Sequence, residues 1–430
     1  MTASLAGFAS LFLLCFAGVP LAIGMLIVGA AGFALYRGAD AASAVAAQQI
    51  TDAFTSHGFS VIPLFILMGT FIHRAGLADD LFSAARAWLG HLRGGMAHAP
   101  IGACGGFSAV CGSSIATAAT MARVSLPQMK RYGYEDGFAC GTVAAGGTLG
   151  ILIPPSVPFV IFGILTETDI TKLFMAGVLP GILLMLMYMA TAWTVVYLRP
   201  SLGQPAERLP WRERFGAIQR TWAVMVLFIV VLGGMYQGIF TPTEGAGVGA
   251  AGAFFFMMMR GKAKLPIIRD ALVEAGRTTA ALLIVIAAAM VFNNFLTIAG
   301  LTNAMVDWVR SLQVPPLGII FAICLIYVVL GCIFDSLAAM FLTVPVFVPI
   351  VVGLGFDPVW FGVIVVMVVE LGLITPPVGM NVFIVKALVP EVPMWGVFAG
   401  VTPFIVANVL SLLAVVLLPV IALWLPGMIK

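Results

Sequence analysis

Gly147-Thr-Leu-Gly-Ile-Leu-Ile-Pro-Pro-Ser156 lies inside an uncharged apolar segment that runs from about Phe138 to Leu165. At an offset of 222 residues the chain reads Glu370-Leu-Gly-Leu-Ile-Thr-Pro-Pro-Val-Gly379, with Gly150 over Gly372 and Pro154-Pro155 over Pro376-Pro377. A proline pair removes backbone donors and disfavours helix in the residue before it. In lipid, broken backbone is tolerated only where protein buries it or where it lines a cavity. Two matching breaks in apolar segments therefore point to a transport site.

Working outward, 62% of the 430 residues are hydrophobic and 9% are charged, with a mean hydropathy of +1.12. Soluble globular chains carry about a quarter charged residues. This composition reads as an all-α polytopic membrane protein, its apolar runs of roughly 17 to 30 residues each able to span a bilayer. The first 35 residues are too long and too continuously apolar for a cleaved signal peptide and read as retained membrane helix. Cys15, Cys104, Cys111, Cys140, Cys324 and Cys332 sit in apolar sequence without metal spacing. A net charge of +3, scattered over loops, argues against nucleic acid.

Leu5 to Tyr36 is interrupted at Gly18-Val-Pro20, and Ala41 to Gly58 reads as an amphipathic or tilted helix. Ser60 to Ile72 spans, and Leu77 to Leu92 suits an interfacial connecting helix. Residues 99–129 are apolar but broken at Cys111-Gly-Ser-Ser114; each piece is too short to span alone, so they read as a re-entrant hairpin. The first broken helix occupies 138–165, and Leu173 to Leu198 crosses back. Trp222 to Gln237 is an extra crossing within the linking segment 221–239. In the second half, Ala280 to Ile298 spans and Thr302 to Leu312, with Asp307 and Arg310, is another connecting helix. A second hairpin at 319–352 centres on Phe334-Asp-Ser336, a second broken helix covers 359–388, and Pro403 to Leu425 is the last span.

At the same offset, Ser114 meets Ser336, Ala116 meets Ala338, Pro127 meets Pro349 and Gly133 meets Gly355. Ala75-Gly-Leu77 and Val28-Gly-Ala-Ala-Gly32 recur as Ala299-Gly-Leu301 and Val248-Gly-Ala-Ala-Gly252 in the same order. Arg199, Arg208, Arg212, Arg214 and Arg220 mark a cytoplasmic loop, and Arg260, Lys262, Lys264 and Arg269 lie two spans later on the same side. Counting crossings puts the N-terminus in the cytoplasm, the C-terminus in the periplasm and the two hairpins on opposite sides. The halves, 1–220 and 240–430, thus read as an inverted-topology repeat, the plan of alternating-access transporters.

Gly238-Ile-Phe-Thr-Pro-Thr-Glu-Gly-Ala246, the Gly-Ser-Ser hairpin, the Ile-Pro-Pro break and Leu373-Ile-Thr-Pro-Pro-Val-Gly-Met-Asn381 together resemble the large membrane subunit (DctM-type) of TRAP transporters over essentially the whole chain. One departure is Gly245-Ala-Gly247, where the family more usually has alanines. The resemblance implies a bacterial inner-membrane, elevator-type secondary transporter coupled to sodium ions. It also implies a small four-helix membrane subunit and a periplasmic substrate-binding protein delivering an organic anion, such as a C4-dicarboxylate or a sugar acid. No cofactor other than the coupling ions is implied, and the chain is not expected to be an enzyme.

Sodium is a hard cation that wants oxygen ligands. Carbonyls freed at the breaks and tips, with the hydroxyls and carboxylate nearby, nominate Gly112, Ser113, Gly150, Asp335, Ser336, Gly372 and Thr375 for ions. Half-helix N-termini suit a carboxylate and nominate Ser114, Pro154, Pro155, Pro377 and Asn381 for substrate. Bland readings stand beside these. Gly-Ser-Ser is also a helix-packing motif, Asp335 a capping residue and Asn381 a helix-to-helix hydrogen bond. Glu370 is an ionisable group within a span, which suits a proton or structural role; its repeat counterpart is Thr148. Thr241-Pro-Thr-Glu244 reads as a capping box. His57, His73, His91 and His98 lack paired metal spacing. The rival readings are a stand-alone dicarboxylate transporter, an intramembrane hydrolase using Ser113 or Ser114, and a passive channel.

Overall fold

In the computed structural model, which describes residues 2–311, 314–332 and 334–428 without the side chains of Thr302, Asn303 and Arg310, the helices end where the sequence places glycine, proline and small polar caps. Helix is the regular structure throughout the described residues, as backbone in lipid requires. The first half comprises α1 (Thr2–Phe16), α2 (Leu21–Arg37), α3 (Ala39–Thr55), α4 (Val61–Ala75) and α5 (Leu77–Leu89). The first hairpin follows as α6 (Gly95–Cys111) and α7 (Ser114–Arg131), then the broken helix as α8 (Asp136–Leu152) and α9 (Val157–Thr166), then α10 (Ile170–Leu198). α11 (Trp211–Arg220) and α12 (Trp222–Tyr236) link the halves.

The second half runs α13 (Pro242–Met259), α14 (Leu265–Ile298) and α15 (Leu301–Ser311). Its hairpin is α16 (Pro316–Gly331) with α17 (Ser336–Gly353), its broken helix α18 (Pro358–Gly372) with α19 (Met380–Leu388), and α20 (Met394–Leu417) and α21 (Val420–Leu423) close the chain. Thr241 caps α13 with the expected reciprocal box to Glu244.

Two boundaries differ from the sequence reading. The span expected at Ala280 is part of a 34-residue helix that starts at Leu265. Its first turns carry Arg269, Asp270, Glu274 and Arg277, good helix formers with no breaker among them, so hydropathy located the apolar part of the helix and not its start. Pro403 does not begin the last long helix but sits inside α20, which starts at Met394. The milder segment Ala41 to Gly58 is helical as α3. The expected connecting helix Thr302 to Leu312 is α15, and its Leu312 and the Arg310 side chain lie outside the described residues.

Elements succeed one another in the same order in both halves, and the packing is crossed between them. α4 packs on α13 while α2 packs on α14; α7 packs on α19 while α17 packs on α9. A further sequence match, Ala176-Gly-Val-Leu-Pro180 with Ala399-Gly-Val-Thr-Pro403, falls inside α10 and α20. α8 and α18 are buried along nearly their whole lengths, as helices apolar on all sides must be. Gly137 and Gly141 of α8 face Gly396 and Gly400 of α20, a spacing of small residues that lets two backbones touch.

Candidate functional site

The second helix of each hairpin starts by the same local device, a side-chain cap. α6 stops where Gly112 adopts a left-handed φ of 63°. Ser113 is extended, and its hydroxyl accepts the Ala116 N–H at 3.3 Å to start α7. In the second hairpin Asp335 does the same for α17, one carboxylate oxygen accepting Leu337 N–H at 2.6 Å and Ala338 N–H at 3.2 Å. Ser113 and Asp335 are 222 residues apart. The capping reading of Asp335 is thus what the geometry shows, with its second oxygen left for another partner.

Each tip is wedged against a broken helix where that helix has glycine. A methyl group at Gly150 would lie 2.7 Å from the Ser113 carbonyl oxygen and 2.8 Å from Thr117 Oγ1. One at Gly372 would lie 2.6 Å from the backbone of Gly331, the last residue of α16. Any side chain at either position would push tip and helix apart. Gly112 in turn lies against the backbone at Pro155 and Ser156, so the first tip and the first break share one packed contact. Both Pro-Pro peptide bonds, 154–155 and 376–377, are cis.

A cavity of about 440 Å³ brings the two tips together: Gly112, Ser113 and Ser114 face it from one hairpin, Asp335 and Ser336 from the other. Its walls come from helical stripes. α7 presents Ala116, Ala119, Thr120 and Arg123, α4 presents Gly69, Thr70 and His73, and α14 presents Glu274 and Thr278. The first break borders the cavity through Ile151, Val157 and Pro158.

The remaining nominated residues lie elsewhere. Gly150, Pro154 and Pro155 are buried behind the first tip, Gly372 packs on Gly331, and Pro377 is exposed away from the cavity. The Thr375 hydroxyl donates to the Leu371 carbonyl at 2.6 Å. Asn381 is fully buried, donating to Ser114 Oγ at 2.8 Å and to the Ala144 carbonyl at 3.3 Å. Ser114 Oγ donates to the Gly147 carbonyl at 2.9 Å, so this hydroxyl is committed to packing and no base among the described residues reaches it. Two tips and one break line the cavity.

Glu370 is completely buried, and neither carboxylate oxygen has a hydrogen-bond partner among the described residues. Nearby, Thr148 and Asn408 both bond the Tyr188 hydroxyl at 3.0 Å, forming a polar island in the helical core. Sequence reasoning did not find this island or the stripe ending at Arg123. The available signal was a charged residue three and seven positions after small residues in an otherwise apolar helix arm.

Charged side chains tie neighbouring helix ends together. Arg74 pairs with Glu274 at 2.6 Å. Arg260 forms an ion pair with Asp80 and donates to the carbonyls of Ala75 at 3.4 Å and Arg220 at 3.3 Å. The two arginine-rich segments are thus on one side of the molecule, as the count of crossings required.

Comparison with known proteins places this geometry. Residues 8–421 match the sequence profile described as "Tripartite ATP-independent periplasmic transporter, DctM component". The C4-dicarboxylate TRAP transporter large permease protein DctM of Pseudomonas aeruginosa is 36% identical over 367 residues, 85% of each chain. The sialic acid TRAP transporter large permease protein SiaM of Vibrio cholerae is 31% identical over 415 residues, 96% of each chain. Among solved structures, the YdaH transporter of Alcanivorax borkumensis superposes with a TM-score of 0.62 over 91% of this chain and 90% of that one, at 16% identity, a likeness of fold alone.

Proposed function

From the premise that this chain belongs to the DctM family of tripartite ATP-independent periplasmic transporters, we propose that it is the permease of a sodium-coupled importer of an organic anion. Membership makes it a multi-pass inner-membrane transporter rather than an enzyme, and large permeases of this family work with a small membrane subunit and a periplasmic binding protein. The anion proposed is a carboxylate, such as a C4-dicarboxylate or a sugar acid, by analogy with the relatives' substrates.

The observation that carries the reading is the meeting of two hairpin tips on one cavity, each wedged on a broken helix through Gly150 or Gly372. The shared element order and the crossed packing of α4 on α13 and α2 on α14 support an inverted-topology repeat of 1–220 and 240–430 joined by 221–239. The two hairpins and two broken helices form the moving part of an elevator. Gly112, Ser113 and Gly150 gather oxygens for one sodium ion, and Asp335, Ser336, Gly372 and Thr375 for the other. The solute sits between Ser114, the first break and the opposite tip, while Asn381 braces Ser114. Glu370 acts in transport as a buried ionisable group. The two arginine-rich segments that meet at Arg220 and Arg260 are cytoplasmic by the positive-inside rule, with the N-terminus cytoplasmic and the C-terminus periplasmic.

The test is reconstitution in liposomes with the small subunit and the binding protein, measuring uptake of radiolabelled succinate and N-acetylneuraminate. An inward sodium gradient should drive uptake, and omitting the binding protein should abolish it. Uptake that is unchanged when potassium replaces sodium, or that needs no binding protein, would remove this reading in favour of a stand-alone or uncoupled carrier.

A further inference from the structure

Arg123 is an exposed cation on the cavity wall that makes no ion pair among the described residues. It points into the cavity from the middle of α7, eight residues before that helix ends at Lys130-Arg131, so it is not one of the basic residues that finish the helix. No carboxylate among the described residues lies within ion-pair distance of it, and the acidic residue on the same wall, Glu274, is engaged by Arg74 at 2.6 Å. One turn back along α7, Thr120 Oγ1 is 3.2 Å from His73 Nδ1. With that nitrogen engaged, the second ring nitrogen of His73 is left for a ligand, and the ring feels the charges of Glu274, Arg74, Arg123 and Asp79.

We infer that Arg123 and His73 form a carboxylate-receiving station on the cavity wall, distinct from the hairpin tips. Nine residues of helix separate Ser114 from Arg123, a rise of about 13 Å, so a small dicarboxylate at the tips does not touch Arg123. The anion reaches the station after it leaves the tips, through the cavity that both line. The guanidinium fork suits a carboxylate held by two parallel hydrogen bonds, and Lys keeps the charge but not the fork. The role in solute exit rests on the transporter reading above, whereas the station's charge is measurable without transport.

The experiment uses the purified full chain with Ala119→Cys, one helical turn from Arg123 on the same wall, and with the partly exposed Cys15 and Cys111 changed to Ser. Rates of modification by an anionic sulfonatoethyl and a cationic trimethylammonioethyl methanethiosulfonate report the local potential. Adding R123Q should lower the anionic-to-cationic rate ratio by roughly five- to tenfold, and R123K should retain the ratio. Millimolar succinate should slow modification when Arg123 is present and not in the R123Q protein. Equal ratios with and without Arg123, or succinate protection that is absent or survives R123Q, would overturn the station. Loss of sodium-driven uptake alongside an intact rate ratio would instead overturn the transporter reading and leave the charge assignment standing.

Discussion

The two hairpin-and-break assemblies share a backbone and differ in charge. In the first, a neutral hydroxyl caps the tip, the proline pair is buried, and Thr148 sits where the second has Glu370. In the second, a carboxylate caps the tip, the proline pair is exposed, and the break stands off the cavity. What repeats is the set of residues that permit close approach: Gly150 and Gly372, and the capping positions 113 and 335. What diverges is the chemistry attached to that frame. Two similar frames supply similar shapes, and each is free to take a different ionic role.

The largest effect should come from breaking the shared part. Gly150→Leu and Gly372→Leu should each reduce uptake on the order of a hundredfold, because the tip is displaced from its helix by about an ångström or more. Gly→Ala at the same positions should lower stability by about 1–3 kcal/mol, read as melting temperature in detergent. A harmless Gly372→Leu beside a damaging Gly150→Leu would show that only the first assembly depends on the wedge.

Next, Asp335→Asn keeps a capping oxygen and removes the charge, and it should raise the sodium concentration for half-maximal uptake roughly tenfold. Ser113→Ala removes a neutral cap worth about 1 kcal/mol and should shift sodium dependence much less. Equal shifts would mean that charge does not separate the two tips. At the paired core positions, Glu370→Gln should lower uptake without lowering the melting temperature, since the amide has nearly the same shape. Thr148→Val should leave uptake near normal and cost about 1 kcal/mol for the lost bond to Tyr188. Full uptake by Glu370→Gln would assign that residue to packing.

The smallest expected effect concerns a buried polar brace between the assemblies. Asn381 reaches Ser114 and Ala144 in the other half, whereas its repeat position in the first half is the buried Phe159. Asn381→Leu should remove the brace and its buried oxygen together, leaving stability within about 1 kcal/mol while slowing uptake modestly. A strongly destabilised protein would show that Asn381 holds the halves together.

The chain's apolar runs, its paired Ile-Pro-Pro and Thr-Pro-Pro breaks and its Gly-Ser-Ser tip were enough to read the membrane class and the helix interruptions. Proline and glycine act on the backbone within a residue or two, so their consequences are local and visible in one dimension. The helix start at Leu265 escaped because hydropathy marks contact with lipid while helix continues through charged turns, and the start at Met394 escaped because Pro403, which lies inside the helix, reads as its beginning. The cavity wall was beyond reach for a different reason. Arg123, His73 and Glu274 come from three helices separated by up to about two hundred residues, and only their packing shows which faces meet. The opening stretch shows the same division. Its sequence determined that the helix breaks between Gly150 and Ser156. Only the tertiary structure decided that the glycine receives a hairpin tip, that the prolines are buried behind it, and that the partner break lies off the cavity. Backbone breaks are written in local covalent geometry, whereas a site is written in which surfaces packing brings together.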